Sequence, residues 1–238
     1  MHAIECIDIV KSFGDPPLTI LKNINLSIDK GEFVGITGRS GSGKSTLLYV
    51  ISGLDDLSSG EVSILGHKVH ELDSQTFHLF RNRKIGFVFQ FHYLLPELTA
   101  LENILMPARK FNEEKERNNY AIELMKEFNV FHCKDKVPSK MSGGEMQRTA
   151  IARALIMNPE IVFADEPTGN LDSENGEKVM DIFKTVNKNL GTTIVMVTHE
   201  PDFALMAKRQ IHLTDGKITN DSNDSKRPKE KKNEQKKR

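Results

Sequence analysis

The nine residues Gly38 to Thr46, GRSGSGKST, restrict this chain more than any other stretch. They follow the apolar run Phe33 to Ile36 and open into Leu47, Leu48, Tyr49, Val50 and Ile51, so the local order is strand, glycine loop, helix. Gly38, Gly41 and Gly43 let the backbone turn sharply, and the loop between them, with Arg39, Ser40, Ser42 and Thr46, turns successive N–H groups toward a polyphosphate at the positive end of a helix. Lys44 adds a mobile charge for the β and γ phosphates. Ser45 supplies a hydroxyl oxygen for Mg²⁺, which takes octahedral oxygen ligands and draws few of them from protein.

The 238 residues, 38% hydrophobic and 28% charged, suffice for one full core, and we expect a single domain followed by a tail. No run of about eighteen apolar residues occurs, and Glu5 and Asp8 stand where a signal peptide would be basic and then apolar. The expectation is a chain that neither spans a membrane nor is exported. Cys6 and Cys133 form no C-x-x-C pair and read as plain thiols in a reducing compartment. The formal net charge of zero conceals a segregation, because residues 226–238 hold eight Lys or Arg against Glu230 and Glu234.

Taken in order, Ala3 to Val10 and Leu18 to Ile28 read as antiparallel strands joined by a GDPP turn. Phe13, between them, could stack on a flat ring or pack against the sheet. Gly60 to Leu65 and Lys68 to Val69 form a second hairpin with Gly66 at its turn, followed by a helix near Asp73 to Arg81 and a strand from Ile85 to Phe89 that ends in Gln90. From about residue 91 to 158 the pattern is helical, an inserted lobe. Thr99 and Glu102 have capping-box spacing, which predicts a helix from Ala100 that stops before Pro107. Tyr120, Leu124, Met125 and Phe128 form the packing face of the next helix. Leu94, Leu95 and Pro96 are apolar loop residues that fit either core or an exposed groove.

Ser142, Gly143, Gly144 and Glu145 repeat the capping-box spacing at the start of a helix running to about Met157, and two glycines there leave bare N–H groups for an anion. Ile161 to Ala164 is a strand buried on both faces that ends in Asp165 and Glu166. In a doubly wound sheet, ligands sit outside the carboxyl ends of the strands, which would bring Asp165 beside the glycine loop and its magnesium ion. Glu166 is then placed to take a proton from an attacking water. A second buried strand, Thr193 to Thr198, ends in His199, within reach of a γ-phosphate. His67 and His70 have no cysteine or acid at metal-ligand spacing. Ile211 to Leu213 and Lys217 to Ile218 close the globular part, and residues 221–238 are polar, aperiodic and expected to be disordered. That basic tail is either solvated or held to anionic lipid.

The full set resembles the nucleotide-binding subunit of ATP-binding cassette (ABC) proteins over residues 1–220. It comprises a Walker A motif, GRSGSGKS; Gln90 as Q-loop; MSGGE as signature; IVFADE as Walker B followed by GNLD; and His199 as switch histidine. The resemblance implies an α/β fold: a P-loop NTPase with a RecA-like core sheet, an N-terminal antiparallel β subdomain and an α-helical subdomain inserted at about 91–158. It further implies that Gln90, Ser45 and Asp165 hold Mg²⁺, that Glu166 is the general base assisted by His199 and Gln90, and that Phe13 stacks on adenine. Met141 and Glu145 depart from the leucine and glutamine common at these signature positions, without touching the phosphate contact of Ser142 to Gly144. Since the signature completes the site of an opposite subunit, the resemblance implies a homodimer, with Ser142 exchanging its own helix for the partner's γ-phosphate and the Asp172 loop coupling the two sites.

The stretches QFHYLLPELTALENILMPA and ADEPTGNLD look like the lipoprotein-releasing ATPases of the LolD type, with MacB-type exporters and FtsE-type division regulators close by. This likeness implies ATP and Mg²⁺ as cofactors, two integral membrane subunits docking near Gln90 to Leu101, no nucleic acid partner, and a place on the cytoplasmic face of the inner membrane. A DNA-repair ATPase would need long coiled-coil heptads, which the chain lacks.

Overall fold

The computed structural model describes residues 1–223. Two sheets share the framework. The first is antiparallel and contains β1 (His2–Phe13), β2 (Leu18–Asp29), β4 (Ser59–Ile64) and β5 (His67–Lys68) in the order β2-β1-β4-β5. The second contains β3 (Phe33–Thr37), β6 (Ile85–Phe89), β7 (Ile161–Asp165), β8 (Thr193–Val197), β9 (Arg209–Thr214) and β10 (Lys217–Asp221) in the order β10-β9-β3-β8-β7-β6. Its strands are parallel except β10, which folds back on β9.

Every residue of β7 and β8 is buried, as expected of central parallel strands covered on both faces. The period of two then divides the core. Val162, Ala164, Ile194 and Met196 face a cluster shared with the helical lobe, whereas Ile161, Phe163, Val195 and Val197 face one shared with the antiparallel sheet and α1 (Lys44–Ile51). Phe163 and Phe183, one in each cluster, are the largest fully buried side chains, each contributing roughly 1.5–3 kcal/mol.

The lobe consists of α3 (Ala100–Arg109), α4 (Glu114–Glu127) and α5 (Gly143–Leu155), while α2 (Ser74–Lys84) precedes β6. Thr99 caps α3 with both halves of the capping box in place. The expected stop before Pro107 is corrected: the helix carries Pro107 inside it and runs to Arg109. Proline removes one N–H donor, but Ile104, Leu105 and Ala108 are buried in the lobe and hold the last turn to the core. The expected boundary after residue 220 also moves, because β10 includes Asp221. Its buried carboxylate accepts from Arg209 Nε at 2.9 Å and Nη2 at 2.7 Å. The rest of the expected tail, 224–238, lies outside the described residues. Cys6 and Cys133 are free and buried. Among the described residues no helix is long and apolar enough to cross a membrane.

Candidate nucleotide site

The site is built at the carboxyl ends of β3, β7 and β8. β3 lies between β8 and β9, so the chain leaves it at the point where the strand order reverses. Gly38 leaves β3 at φ +147, and a Cβ there would stand 2.3 Å from Leu213 O, a backbone atom that cannot yield. Gly43, at φ +98, caps α1 with no side-chain hydrogen bond, which leaves the first N–H groups of that helix to an external acceptor. Lys44 lies back over the loop and donates to Arg39 O at 3.1 Å. Among the described residues, buried Ser42 Oγ has no hydrogen-bond partner.

Asp165 is where sequence distance closes. Ser45 Oγ donates to Asp165 Oδ1 at 3.0 Å, and the Tyr49 hydroxyl donates to Asp165 Oδ2 at 2.7 Å. Burial, and then the hydrogen bond to Asp165, push the Tyr49 phenol well above its ordinary range, so it stays a donor. Glu166, next in the chain, has φ +46, a left-handed conformation rare outside glycine, and its N–H donates to Val197 O at 2.9 Å. This turn brings its Oε2 within 2.7 Å of His199 Nδ1, at the end of β8. Gly169 passes so close that a Cβ would lie 3.0 Å from Gln90 Nε2 and 3.4 Å from Glu166 Oε2. Gln90 Nε2 and Asn170 Oδ1 are 3.4 Å apart, and Asn170 Nδ2 donates back to Gln90 O at 3.1 Å.

Phe13 and the Ser142 turn stand outside this network. The Phe13 ring is 45% exposed and belongs to neither core cluster, and Lys11 Nζ lies 4.5 Å from its centroid. Ser142 caps α5: Glu145 N donates to its Oγ at 3.3 Å, and Glu145 Oε2 accepts from Ser142 N at 2.7 Å. That backbone donor, helped by His132 and Cys133, holds the Glu145 carboxyl down at about 2. Asp172 caps α6 (Ser173–Leu190), accepting from Asn175 N at 2.8 Å. A Cβ on Gly144 would approach Asn175 Oδ1 to 2.5 Å, so the two-glycine turn serves the close packing of α5 on α6 as well.

Several residues that position this site carry no sequence signal of their own. Gln147 is buried and donates to Pro167 O at 2.7 Å and Phe89 O at 3.3 Å, tying α5 to the chain on either side of Gln90 and Glu166. Arg153 donates to Tyr93 O at 2.6 Å and His92 O at 2.8 Å. Asn103, fully buried in α3, binds the same loop further on: its Oδ1 accepts from Leu95 N at 2.7 Å and its Nδ2 faces the carbonyls of Leu95, Leu98 and Thr99 at 3.0–3.1 Å. Beside this loop, Tyr93, Leu95, Met106 and Pro107 line an apolar groove edged by Arg109 and Lys110.

Comparison with known proteins finds a matching family and similar chains. The ABC transporter family model matches residues 21–169. Over 215 residues, 90% of each chain, the sequence is 52% identical to the lipoprotein-releasing system ATP-binding protein LolD of Leptospira interrogans. It is also 52% identical over 203 residues to LolD of Aquifex aeolicus, covering 84% of this chain and 89% of that one. Among solved structures, the dimeric bacterial ABC transporter cassette MJ0796 is 43% identical with a TM-score of 0.85, covering 92% of this chain and 97% of the other. The same cassette as a dimer in a post-hydrolysis state with ADP and Pi is 41% identical with a TM-score of 0.82 over the same shares.

Proposed function

The chain belongs to the ABC transporter family as an ATP-hydrolysing subunit, and from that premise we propose that it drives the release of lipoproteins from the inner membrane toward the outer membrane. The observation that carries this cargo is the 52% identity to a lipoprotein-releasing ATPase along nine tenths of both chains. In this reading two copies of the chain work on two integral membrane subunits, at the cytoplasmic face of the membrane, without entering it. The groove beside Tyr93 and Leu95, between Gln90 and Leu101, is where those subunits would dock.

The nucleotide enters at residues 38–46. Lys44 exchanges Arg39 O for the β and γ phosphates, and the buried Ser42 hydroxyl, which has no partner among the described residues, gains an acceptor. Phe13 offers an open ring to adenine. Ser45 and Asp165 present hard oxygens 3.0 Å apart, a donor set that suits Mg²⁺, with the Gln90 amide as a third ligand. Once bound, the ion neutralises charge on the phosphate oxygens. Tyr49 fixes the Asp165 carboxylate from behind.

For hydrolysis, a water oxygen attacks the γ-phosphorus, the bond to the β–γ bridging oxygen breaks, and the water's proton passes to Glu166. In the single chain one oxygen of that carboxylate, Oε2, is bonded to His199, and in this reading His199 turns from it to the γ-phosphate as Glu166 acts as base. Ser142, Gly143 and Gly144 face the ATP of the second copy, with Glu145 behind them, and Asp172 lies at the junction. ATP thus joins two half-sites, and loss of the γ-phosphate lets them part.

The test is to purify the Glu166→Gln chain from its own membranes with ATP present and identify what accompanies it. We expect ATP to bind, turnover to fall by about 10²-fold or more, dimers to accumulate, and two membrane subunits to copurify with lipoprotein. Turnover at the unmodified rate would remove Glu166 as base. A single division-protein partner, or a drug exporter, would instead assign the motor to an FtsE-type or MacB-type system.

A further inference from the structure

Beside the signature turn, three side chains of metal-binding chemistry converge. His132 and Cys133 belong to the short 3₁₀ turn Phe131–Cys133, and Glu145 belongs to the first turn of α5. The His132 Nε2, Cys133 Sγ and Glu145 carboxylate oxygen lie within 4.8 Å of one another, with Nε2 and Glu145 Oε1 only 2.6 Å apart. Among the described residues this is the one group of three such side chains so placed.

We propose that His132, Cys133 and Glu145 form a zinc site at the base of the signature motif. Imidazole, thiolate and carboxylate together are the ligand types of Zn²⁺ and not of Mg²⁺, which selects oxygen alone. Zinc bonds of about 2.0–2.3 Å at tetrahedral angles separate ligand atoms by roughly 3.3–3.7 Å. The His132–Glu145 pair must therefore open by less than about 1 Å and a pair at the 4.8 Å limit close by roughly 1–1.5 Å, and the His132 ring is free to move because half of that side chain is exposed. The buried thiol binds the metal through its sulfur and releases its proton to solvent, and Lys136, the cation near Cys133, turns outward to solvent. Water completes the fourth position.

Glu145 links the ion to the signature. Its two oxygens already have separate tasks: Oε1 meets His132, and Oε2 accepts from Ser142 N at 2.7 Å. Zinc can take Oε1 while Oε2 continues to hold Ser142. Occupancy would therefore pin the 131–133 turn to the start of α5 and keep the signature turn in its single-chain geometry. The inference does not depend on what the transporter carries.

The experiment titrates Zn²⁺ into the full chain, reduced and free of nucleotide, against a chromophoric chelator, and repeats the titration on His132→Ala and Cys133→Ser. We expect one ion per chain at micromolar Kd or tighter, and affinity roughly tenfold or more weaker in each variant. With Co²⁺ in place of zinc, the unmodified chain should show a thiolate-to-cobalt charge-transfer band that Cys133→Ser lacks. His132→Ala changes an exposed side chain and keeps the test valid if Cys133→Ser folds poorly. Binding that is equally tight in both variants, absent in the unmodified chain, or without the thiolate band would overturn the site.

Discussion

Replacing Asn103 by alanine should loosen the loop that follows Gln90 without touching the nucleotide. The Asn103 side chain has no exposed surface and makes four contacts to the backbone between Leu95 and Thr99: one accepted from Leu95 N, and two amide protons shared among three carbonyls. Counting three net bonds at about 1 kcal/mol each gives ~3 kcal/mol, and the backbone groups left unpaired push the figure upward. Alanine returns about 0.5 kcal/mol through its higher helix propensity, leaving ~2–4 kcal/mol. Urea unfolding of the nucleotide-free chain measures this directly. Hydrogen exchange at the Leu95 amide should accelerate in parallel, while ATP affinity stays within about twofold, since Asn103 contacts no residue of the P-loop. Asn103→Asp keeps the acceptor for Leu95 N but faces three carbonyls with an anion, so its loss should be at least as large. An alanine variant within about 0.5 kcal/mol of the unmodified chain would refute the claim that this side chain builds the loop.

Three further outcomes follow from particular contacts. Tyr49→Phe removes one donor from Asp165 and should weaken Mg²⁺-dependent ATP binding by about tenfold, ~1.4 kcal/mol, with binding in chelator unchanged; titration with and without Mg²⁺ checks it. Asp221→Ala leaves buried Arg209 with Glu32, 2.8 Å away, as its remaining carboxylate, and should lower stability by ~3 kcal/mol in urea unfolding. The Glu102 carboxyl is held below its ordinary 4.5, chiefly by the Thr99 backbone N–H and then by the Thr99 hydroxyl. A depressed carboxyl stabilises the fold above its unfolded pKa and loses that contribution as pH falls through the folded one. The advantage of the unmodified chain over Glu102→Gln should therefore be full at neutral pH and shrink below 4.5 in melting curves.

How far the sequence is legible depends on whether a residue acts through local pattern or through a distant partner. The P-loop, the all-buried strands ending at Asp165 and Val197, and the two capping boxes at Thr99 and Ser142 are local, and the structure agrees with each. Asn103 is different. A polar residue in a helix reads as part of the solvated face, and only the return of the 95–99 loop over α3 makes it the buried anchor of that loop. Tyr49 sits in an apolar run, so its ring predicts packing while its hydroxyl finds a carboxylate 116 residues away. Pro107 misleads for a related reason: the local penalty is real, but burial of Ile104, Leu105 and Ala108 outweighs it. The metal-type cluster is split between two elements, His132 with Cys133 on one and Glu145 on the other, so no spacing rule finds it.

The reactive groups of the proposed site share one property that bears on when hydrolysis begins. Lys44 donates to Arg39 O, Ser45 to Asp165, Glu166 is bonded to His199, and Ser142 to Glu145. Each has a hydrogen-bond partner within its own chain. Under the proposed mechanism, the steps at these four residues are then exchanges of hydrogen bonds, and an exchange of like for like changes the free energy little. The net drive must come where charge enters: the polyphosphate against Lys44 and the α1 terminus, and the γ-phosphate against the partner's signature turn. Glu166 is released from His199 only when His199 has a phosphate oxygen to take in its place. ATP bound in a single chain already offers that oxygen, so release of the base goes with nucleotide binding, and the closure that brings the second signature to the nucleotide completes the site.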